Sequence, residues 1–324
     1  QLPVDLLNLI SGFEIAGNPL VLFTLLNELR IFGRHEDLPQ FLTSYVKSKD
    51  TDDFFSRFLN RLEQDFPEQE FSVRALLSSL VLAQKGLTET EITQIHQLPP
   101  LKWSQVYNAL DYHILNKGGK LSLGNPYLVA AVEKRYLSEK DARNQQLKPL
   151  LGHFAGRFSA VKESNDTSDL HRILEELPEL ALKADEAPLL LEAVTYMPAL
   201  ILLFSVHNQK LPYYFAVLGN TFDMPAELHK SLQSYLEKES FSELAFEAAF
   251  LCGHLISAHV SAVQAFPFYY EVLSMFVQSP RRNQYVFETL KELSAAYRQL
   301  GSIDEGAEIL LNLLPFRDGD DVTE

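Results

Sequence analysis

The stretch 13–33 constrains the fold most, because it carries a helix cap, an apolar helix pattern and a helix stop in that order. Asn18 can accept hydrogen bonds from the free amides of a first helical turn, and Pro19 fits the first helical position. Gly33 can adopt the left-handed conformation that ends a helix. The leucines at helical spacing are Leu22, Leu25, Leu26 and Leu29. This spacing predicts a helix with one buried face.

Helical patterns fill most of the remaining sequence, and the segment 114–123 is the exception. Short alternating arms flank Gly118 and Gly119 there, and two glycines can form the tight turn of a β-hairpin. From residue 71 onward, three helical patterns precede this hairpin and one follows it, which is the element order of a winged-helix domain. The predicted fold class is all-α: a helical lid, a winged helix with one hairpin, and then an α-solenoid.

The last helical patterns have the spacing of tetratricopeptide (TPR) repeats, in which large, small and aromatic side chains alternate in a fixed order. The residues that fit this order are Leu290, Leu293, Ser294, Tyr297, Leu300, Gly301, Gly306 and Leu310. Gly253 and Ala265 occupy, one helix pair earlier, the roles of Ser294 and Gly306. Small residues at these positions let two antiparallel helices approach closely, so the sequence predicts at least two TPR-like helix pairs.

Two breaks in the helical patterns divide the chain into three predicted domains. Pro67 closes the first group of helices, and the polar run 164–169 separates the later ones. The predicted domains are a helical lid at 1–67, a winged-helix domain with a trailing helix at 68–163, and a superhelical, TPR-like domain at 164–324.

The chain is strongly acidic, with 43 Asp and Glu against 28 Lys and Arg and a net charge of -15. Such a field repels phosphate backbones, which argues against nucleic acid as a partner. Lys102 is the single cation of the predicted third helix of the winged domain, where a DNA reader needs several. No apolar run predicts a membrane span, and no signal-peptide pattern is found. A cytoplasmic protein is predicted, and Cys252, the single cysteine, is interpreted as a buried, inert thiol.

No motif predicts catalysis by this chain. The run 118–120 resembles the end of a P-loop, but Ile114 stands where the first glycine would be, and Lys120 leads into a strand. His254 and His259 lie off a common helical face, and no Gly-x-Ser-x-Gly elbow occurs. We therefore predict that the chain is not an enzyme and has no catalytic residue, metal ligand or cofactor of its own.

Gly17, Asn18 and Pro19, followed by a leucine-rich helix, resemble the lid motif of STAND signalling ATPases, the class that includes the NACHT proteins. The run 86–92 (GLTETEI) and the segment 127–137 are similar to the winged-helix domain of nephrocystin-type NACHT–TPR proteins. The resemblance covers most of residues 10–160. It implies that Pro19 packs on the adenine base of ATP or ADP, held mainly by an ATPase domain elsewhere in a longer parent chain.

Asn125 corresponds to the histidine that faces the β-phosphate of bound ADP in that family. An asparagine can still donate a hydrogen bond, but it cannot carry the charge of an imidazolium. Two interpretations stay open, because Pro126 follows: a nucleotide contact, or a helix start with Asn125 as its cap. By resemblance, the nucleotide-binding candidates are Gly17, Asn18, Pro19 and Asn125.

The leading interpretation is the regulatory and ligand-sensing region of a STAND-type ATPase, with a role in innate or antiviral defence as one setting. A protein ligand on the TPR-like surface would shift a closed–open balance, and homo-oligomers would form on activation. The alternative is an α-solenoid scaffold that binds a protein or peptide partner without switching. The chain starts with Gln1 inside a helical pattern, which predicts a piece of a longer protein.

Overall fold

The structure, a computed structural model, describes residues 3–67, 71–239, 241–278 and 284–311. Within these residues the chain forms eighteen α-helices and one two-stranded antiparallel sheet. The predicted all-α class with a single hairpin is therefore confirmed. The chain divides into two compact units: Gln1–Ser164 with Glu175–Asp185, and Asn165–Leu174 with Glu186–Glu324. The finer division into domains at 1–67, 68–163 and 164–324 stays a prediction.

Among the described residues, the first unit is built from nine helices and the hairpin, with the end of a tenth helix. These elements are α1 (Val4–Ser11), α2 (Pro19–Ile31), α3 (Leu38–Val46), α4 (Thr51–Asp65), α5 (Val73–Leu82), α6 (Glu89–His96), α7 (Pro100–Leu110), β1 (Ile114–Lys117), β2 (Lys120–Leu123), α8 (Pro126–Tyr136) and α9 (Lys140–Ser164). Short 3-10 turns lie at Glu14–Gly17, His35–Asp37 and Asp111–His113. Helix α10 (Leu170–Lys183) supplies its first residues to the second unit and the remainder to the first.

In its described part, the second unit also contains a 3-10 turn at Thr167–Asp169 and eight further helices. They are α11 (Ala187–Thr195), α12 (Met197–His207), α13 (Leu211–Gly219), α14 (Met224–Leu236), α15 (Glu243–His259), α16 (Ala262–Gln278), α17 (Gln284–Gln299) and α18 (Ile303–Leu311). Consecutive helices pack on one another along the chain, as in a solenoid.

Helix α2 begins as predicted but ends differently. The Asn18 side chain accepts a hydrogen bond from the amide of Leu20 at 3.0 Å, so the predicted cap is confirmed. The helix ends at Ile31 because Phe32 takes an extended conformation, and Gly33 is not among the residues with positive φ. The predicted left-handed stop at Gly33 is therefore wrong.

The buried face of α2 is also rotated from the predicted one. Leu25 and Leu29 are buried, but Leu26 is 42% exposed. Glu28 takes a place in the core instead, with an exposure of 0%. Its carboxylate accepts hydrogen bonds from the Tyr45 hydroxyl and from Nε of Arg61, both at 2.8 Å. A buried carboxylate requires such partners, because removing a charge from water is costly unless it is paired.

The hairpin forms where the glycines predicted it. Gly118 and Gly119 have φ of 60° and 84°, and Lys117 pairs with Lys120 across the two-residue turn. Gly86 also has a positive φ, and a Cβ at that position would meet the backbone oxygen of Leu121 at 2.6 Å. The glycine thus allows the chain to pass close to β2, where residue 87 bridges to Leu121. Thr88 and Glu91 form a capping box at the start of α6.

The end of α10 is fixed to the first unit by charged groups. Glu176 is fully buried, and its carboxylate accepts hydrogen bonds from the backbone amides of Gln84 and Lys85 at 2.6 and 2.8 Å. Lys183 donates to the carbonyl of Leu82 at 2.8 Å. These contacts supply hydrogen-bond partners to backbone groups at the end of α5 and just after it, where regular helical hydrogen bonding stops.

The small residues of the predicted TPR-like pairs lie at close helix contacts. A Cβ added at Gly253 in α15 would fall 2.5 Å from Cε1 of Tyr269 in α16. In the next pair, the Ser294 hydroxyl donates to the carbonyl of Gly306 at 2.7 Å, and both residues are buried. These distances confirm that small side chains permit the close approach of the helices. The side chain of Leu310, also assigned to this pattern, lies outside the described residues.

Candidate functional site

The second unit contains a cavity of about 660 Å³ between the start of α10 and helices α12, α14 and α15. A volume of this size lies in the range of ligand-binding sites in proteins. Its apolar walls include Leu170, Met197, Pro198, Ile201, Leu202 and Leu244. All of the lining residues belong to one compact unit, so the cavity is a property of the repeat-containing part of the chain.

A sharp bend in the chain creates one wall of the cavity. The direction of the helices changes by 85° between α11 and α12. Tyr196 takes an extended conformation at this break, since it ends α11 and precedes α12, and Pro198 occupies the first turn of α12. Met197 beside them is buried, and its sulfur lies 3.7 Å from Sγ of Cys252. The sequence Tyr-Met-Pro thus turns the chain and supplies the wall at the same time.

Polar groups stand at the edge of the cavity. Ser231 of α14 donates to the carbonyl of Thr195 at 2.6 Å, which ties α14 to the end of α11. Burial raises the pKa of the Tyr196 hydroxyl and that of the Tyr235 hydroxyl. The carboxylate of Glu239 adds to the rise at Tyr235, because a phenolate would form beside a negative charge. The lining therefore combines neutral hydroxyls with one carboxylate, Glu239, and one cation, Lys238.

The predicted motif at Gly17, Asn18 and Pro19 lies at the surface of the first unit. Gly17 and Pro19 are exposed, and the side chain of Asn18 caps α2. The face of α2 that begins at Pro19 carries Leu20 and Phe23, which are 40% and 52% exposed. With Leu26 they form an apolar strip on this helix, a feature that soluble domains seldom leave uncovered over a large area.

Asn125, by contrast, is buried and acts as the cap of α8. Its side-chain oxygen accepts hydrogen bonds from the amides of Tyr127 and Leu128 at 3.0 and 3.3 Å. The interpretation of Asn125 as a helix cap before Pro126 is therefore confirmed. Its amide nitrogen lies 3.5 Å from Nδ1 of the buried His113. Burial lowers the pKa of His113 to about 4, and the nearby Arg61 charge contributes.

The segment 112–113 links the two predicted parts of the nucleotide site. The ring of Phe23 in α2 makes an edge-to-face contact with Tyr112 at a centroid distance of 5.0 Å. Asn125 contacts His113, which directly follows Tyr112 in the chain. The structure thus brings α2 and Asn125 to the same short turn, although they are distant in sequence. Whether Gly17, Asn18, Pro19 or Asn125 contacts a nucleotide stays a prediction.

The described part of the chain shows no metal-binding grouping. Among residues 3–67, 71–239, 241–278 and 284–311, no three His, Cys, Asp or Glu side chains converge as metal ligands would. Cys252 is buried as predicted, and burial raises the pKa of its thiol, which disfavours the reactive thiolate. Within the same residues, no single helix has the length and apolar composition of a membrane span, while α11 and α12 meet those criteria as one bent pair.

Sequence reasoning missed the cavity, because its residues come from four separate helices. The one local signal in the sequence is the Tyr-Met-Pro run at the α11–α12 bend. Leu244, in the first turn of α15, is 50% exposed in the structure. A binary helical pattern predicts such a leucine to be buried, so its exposure appears only in the structure.

One known protein shares detectable sequence similarity with most of this chain. A TPR repeat-containing protein of Dictyostelium discoideum is 24% identical over 208 residues, which is 62% of this chain and 12% of that protein. The chain thus spans a small part of the length of this relative. No family model matches the sequence, and no solved structure shows significant similarity to it. The likeness and the close-packed helix pairs agree that the chain contains a TPR-like helical-repeat region.

Proposed function

We propose that this chain is a protein-interaction scaffold whose helical-repeat unit binds a segment of a partner protein. The observation that carries the proposal is the cavity of about 660 Å³ with apolar walls, formed among α10, α12, α14 and α15. Helical repeats stack into extended surfaces that suit protein partners, since each repeat adds a similar face. The absence of a predicted catalytic motif fits a binding role. The similar Dictyostelium discoideum protein is named for its TPR repeats, which supports the same conclusion.

Site-specific photo-cross-linking in the source cell tests this proposal. A photoreactive amino acid would replace exposed tyrosines of the repeat unit, Tyr213 and Tyr270, one at a time. The matched control is the same replacement at Tyr127, an exposed tyrosine of the first unit. We expect a discrete partner protein to be cross-linked from the repeat positions and not from Tyr127. The scaffold function is wrong if no position in the repeat unit yields a specific cross-link.

A second candidate function is the regulatory region of a STAND-type ATPase. The observation in its favour is the exposed apolar strip of Leu20, Phe23 and Leu26 directly after Pro19, together with the contact of Phe23 with Tyr112. A lid that closes over a nucleotide and an ATPase domain needs an apolar face, and the apolar face of α2 begins at Pro19. In this function the parent chain would bind ATP or ADP, and oligomers would form after opening.

Nucleotide affinity of the longer parent protein tests the second candidate. Pro19→Ala keeps a helix-compatible residue at the first position, and Asn125→Asp keeps the capping oxygen while it removes the amide donor. We expect each variant to weaken the binding of a fluorescent ADP analogue by about tenfold, the effect of one lost contact. Pro39→Ala, at another exposed helix start, is the matched control. If both test variants bind the ADP analogue as tightly as the control does, Pro19 and Asn125 do not contact the nucleotide.

A further inference from the structure

The mouth of the cavity leaves apolar surface uncovered. Leu244 stands in the first turn of α15 with half of its surface exposed, and it lines the cavity together with the half-buried Ile201 and Leu202. Apolar side chains of a partner would remove this area from water, which favours binding. A groove with apolar walls contributed by several helices accepts the apolar face of a helical or extended segment.

Acidic residues predominate in the chain segment that borders the cavity. Glu239 and Lys238 line the cavity, and Glu237 and Glu243 are exposed on either side of them in the chain. The segment 237–243 therefore has three carboxylates and one cation. The carboxylates of Glu239 and Glu247 lie close enough to Tyr235 to contribute to the raised pKa of its hydroxyl. Two carboxylates thus lie near Tyr235, a residue of the cavity lining, in a chain whose net charge is -15.

We propose that the cavity binds an amphipathic, basic segment of a partner protein. Large apolar side chains of the segment enter between Ile201 and Leu244, and adjacent Lys or Arg side chains pair with Glu239 and its acidic neighbours. Electrostatic complementarity selects cationic segments and speeds their association, while the buried apolar anchors supply most of the affinity. This inference rests on the proposed scaffold function, since it names the site and the chemistry of the partner.

The probe is a fluorescein-labelled synthetic peptide of about eighteen residues, built from Leu and Lys at helical spacing so that one face is apolar. Two control peptides separate the contribution of the apolar face from that of the positive charge. One has the same composition in scrambled order, so the charge is kept and the apolar face is lost. The other has Glu in place of Lys, so the face is kept and the charge is reversed. Fluorescence anisotropy with the full chain should show saturable binding of the first peptide and much weaker binding of both controls.

Surface variants locate the site without disturbing the fold. Leu244→Asp should weaken binding by about tenfold or more, as the loss of a central apolar contact does. Glu239→Lys should weaken it severalfold at low salt, and this difference should shrink as salt screens the charges. Val277→Asp and Glu305→Lys make the same changes at exposed residues of α16 and α18 that do not line the cavity. They should leave the affinity within about twofold of the unmodified chain.

Several outcomes would overturn this inference. The first is that the Leu–Lys peptide shows no saturable binding. The second is that the scrambled or the Leu–Glu peptide binds equally well. The third is that Val277→Asp lowers the affinity as much as Leu244→Asp does. Circular dichroism of each variant shows that a lost affinity does not reflect a lost fold. The proposed scaffold function is judged separately, because a partner cross-linked at Tyr213 or Tyr270 would uphold the scaffold even if this cavity binds no basic segment.

Discussion

The close contact between Gly253 and Tyr269 offers a sharp test of the TPR-like packing. In the substitution Gly253→Ala, the added methyl group would lie 2.5 Å from Cε1 and 2.7 Å from Cδ1 of the Tyr269 ring. Ordinary contact between such atoms begins at 3.4 Å. The ring must therefore move by roughly 1 Å, and it is fully buried between α15 and α16.

Two opposing effects set the size of the change in stability. Alanine is favoured over glycine in a helix interior by about 1 kcal/mol. Overpacking of a tight interior costs about 1–3 kcal/mol. Because the ring has no exposed side toward which it can turn, the upper part of that range applies. The expected net loss is about 1–2 kcal/mol in the free energy of unfolding.

Urea denaturation followed by far-UV circular dichroism measures this loss, and native-state hydrogen exchange assigns it to α15 and α16. The matched control is Gly156→Ala in α9, where an added Cβ meets nothing within 4 Å. There the helix preference acts alone, so the control should gain about 0.5–1 kcal/mol. The two substitutions are chemically identical, and we expect opposite signs.

A double-mutant cycle identifies the cause of the loss. In the background Tyr269→Leu, the aromatic ring is absent, so the effect of Gly253→Ala should become neutral or stabilising. If Gly253→Ala stabilises the chain as Gly156→Ala does, or if its cost persists without the ring, then small residues do not set the helix spacing here. The argument for TPR-like close packing would then fail.

Three further predictions concern buried polar groups. Arg61→Ala leaves Glu28 as an unpaired buried charge and should cost about 3–5 kcal/mol in urea denaturation; a cost below 1 kcal/mol would contradict a buried ion pair. His113 is neutral in the fold, with its pKa lowered to about 4, so its contribution to stability is lost as the pH falls from 6.5 to 4. Stability measured across that range should fall less steeply in His113→Phe, and an unchanged slope would refute the assignment. Glu176→Ala leaves two backbone amides unpaired and should cost about 2–3 kcal/mol. Lys140→Ala, which removes only an exposed ion pair, should cost much less than Glu176→Ala, and similar losses in both would contradict this.

The elements that the sequence predicted correctly depend on local interactions. Asn18 and Asn125 each cap the helix that follows them, and Gly118-Gly119 forms the hairpin turn. In each case the deciding hydrogen bonds or dihedral angles involve residues within a few positions of one another. A short stretch of sequence therefore contains all of the information needed.

The predicted buried face of α2 failed because it depends on which side of the helix meets the core. Leu26 has the apolar character of a buried residue, but the structure exposes it and buries Glu28 instead. Glu28 is stable there because Tyr45 and Arg61, from two other helices, supply its hydrogen bonds. No pattern within α2 could reveal those partners.

The amino-acid sequence alone determined that this chain is helical, where most of its helices begin, where its one hairpin turns, and which small residues permit close helix pairs. Caps, turns and helical spacing act between near neighbours, so the order of residues is sufficient for them. The tertiary structure decided the buried network around Glu28 and the cavity bounded by Ile201, Tyr235 and Leu244. Those features join residues that are far apart in the chain, and their energies depend on burial and partners that exist only after the helices have packed.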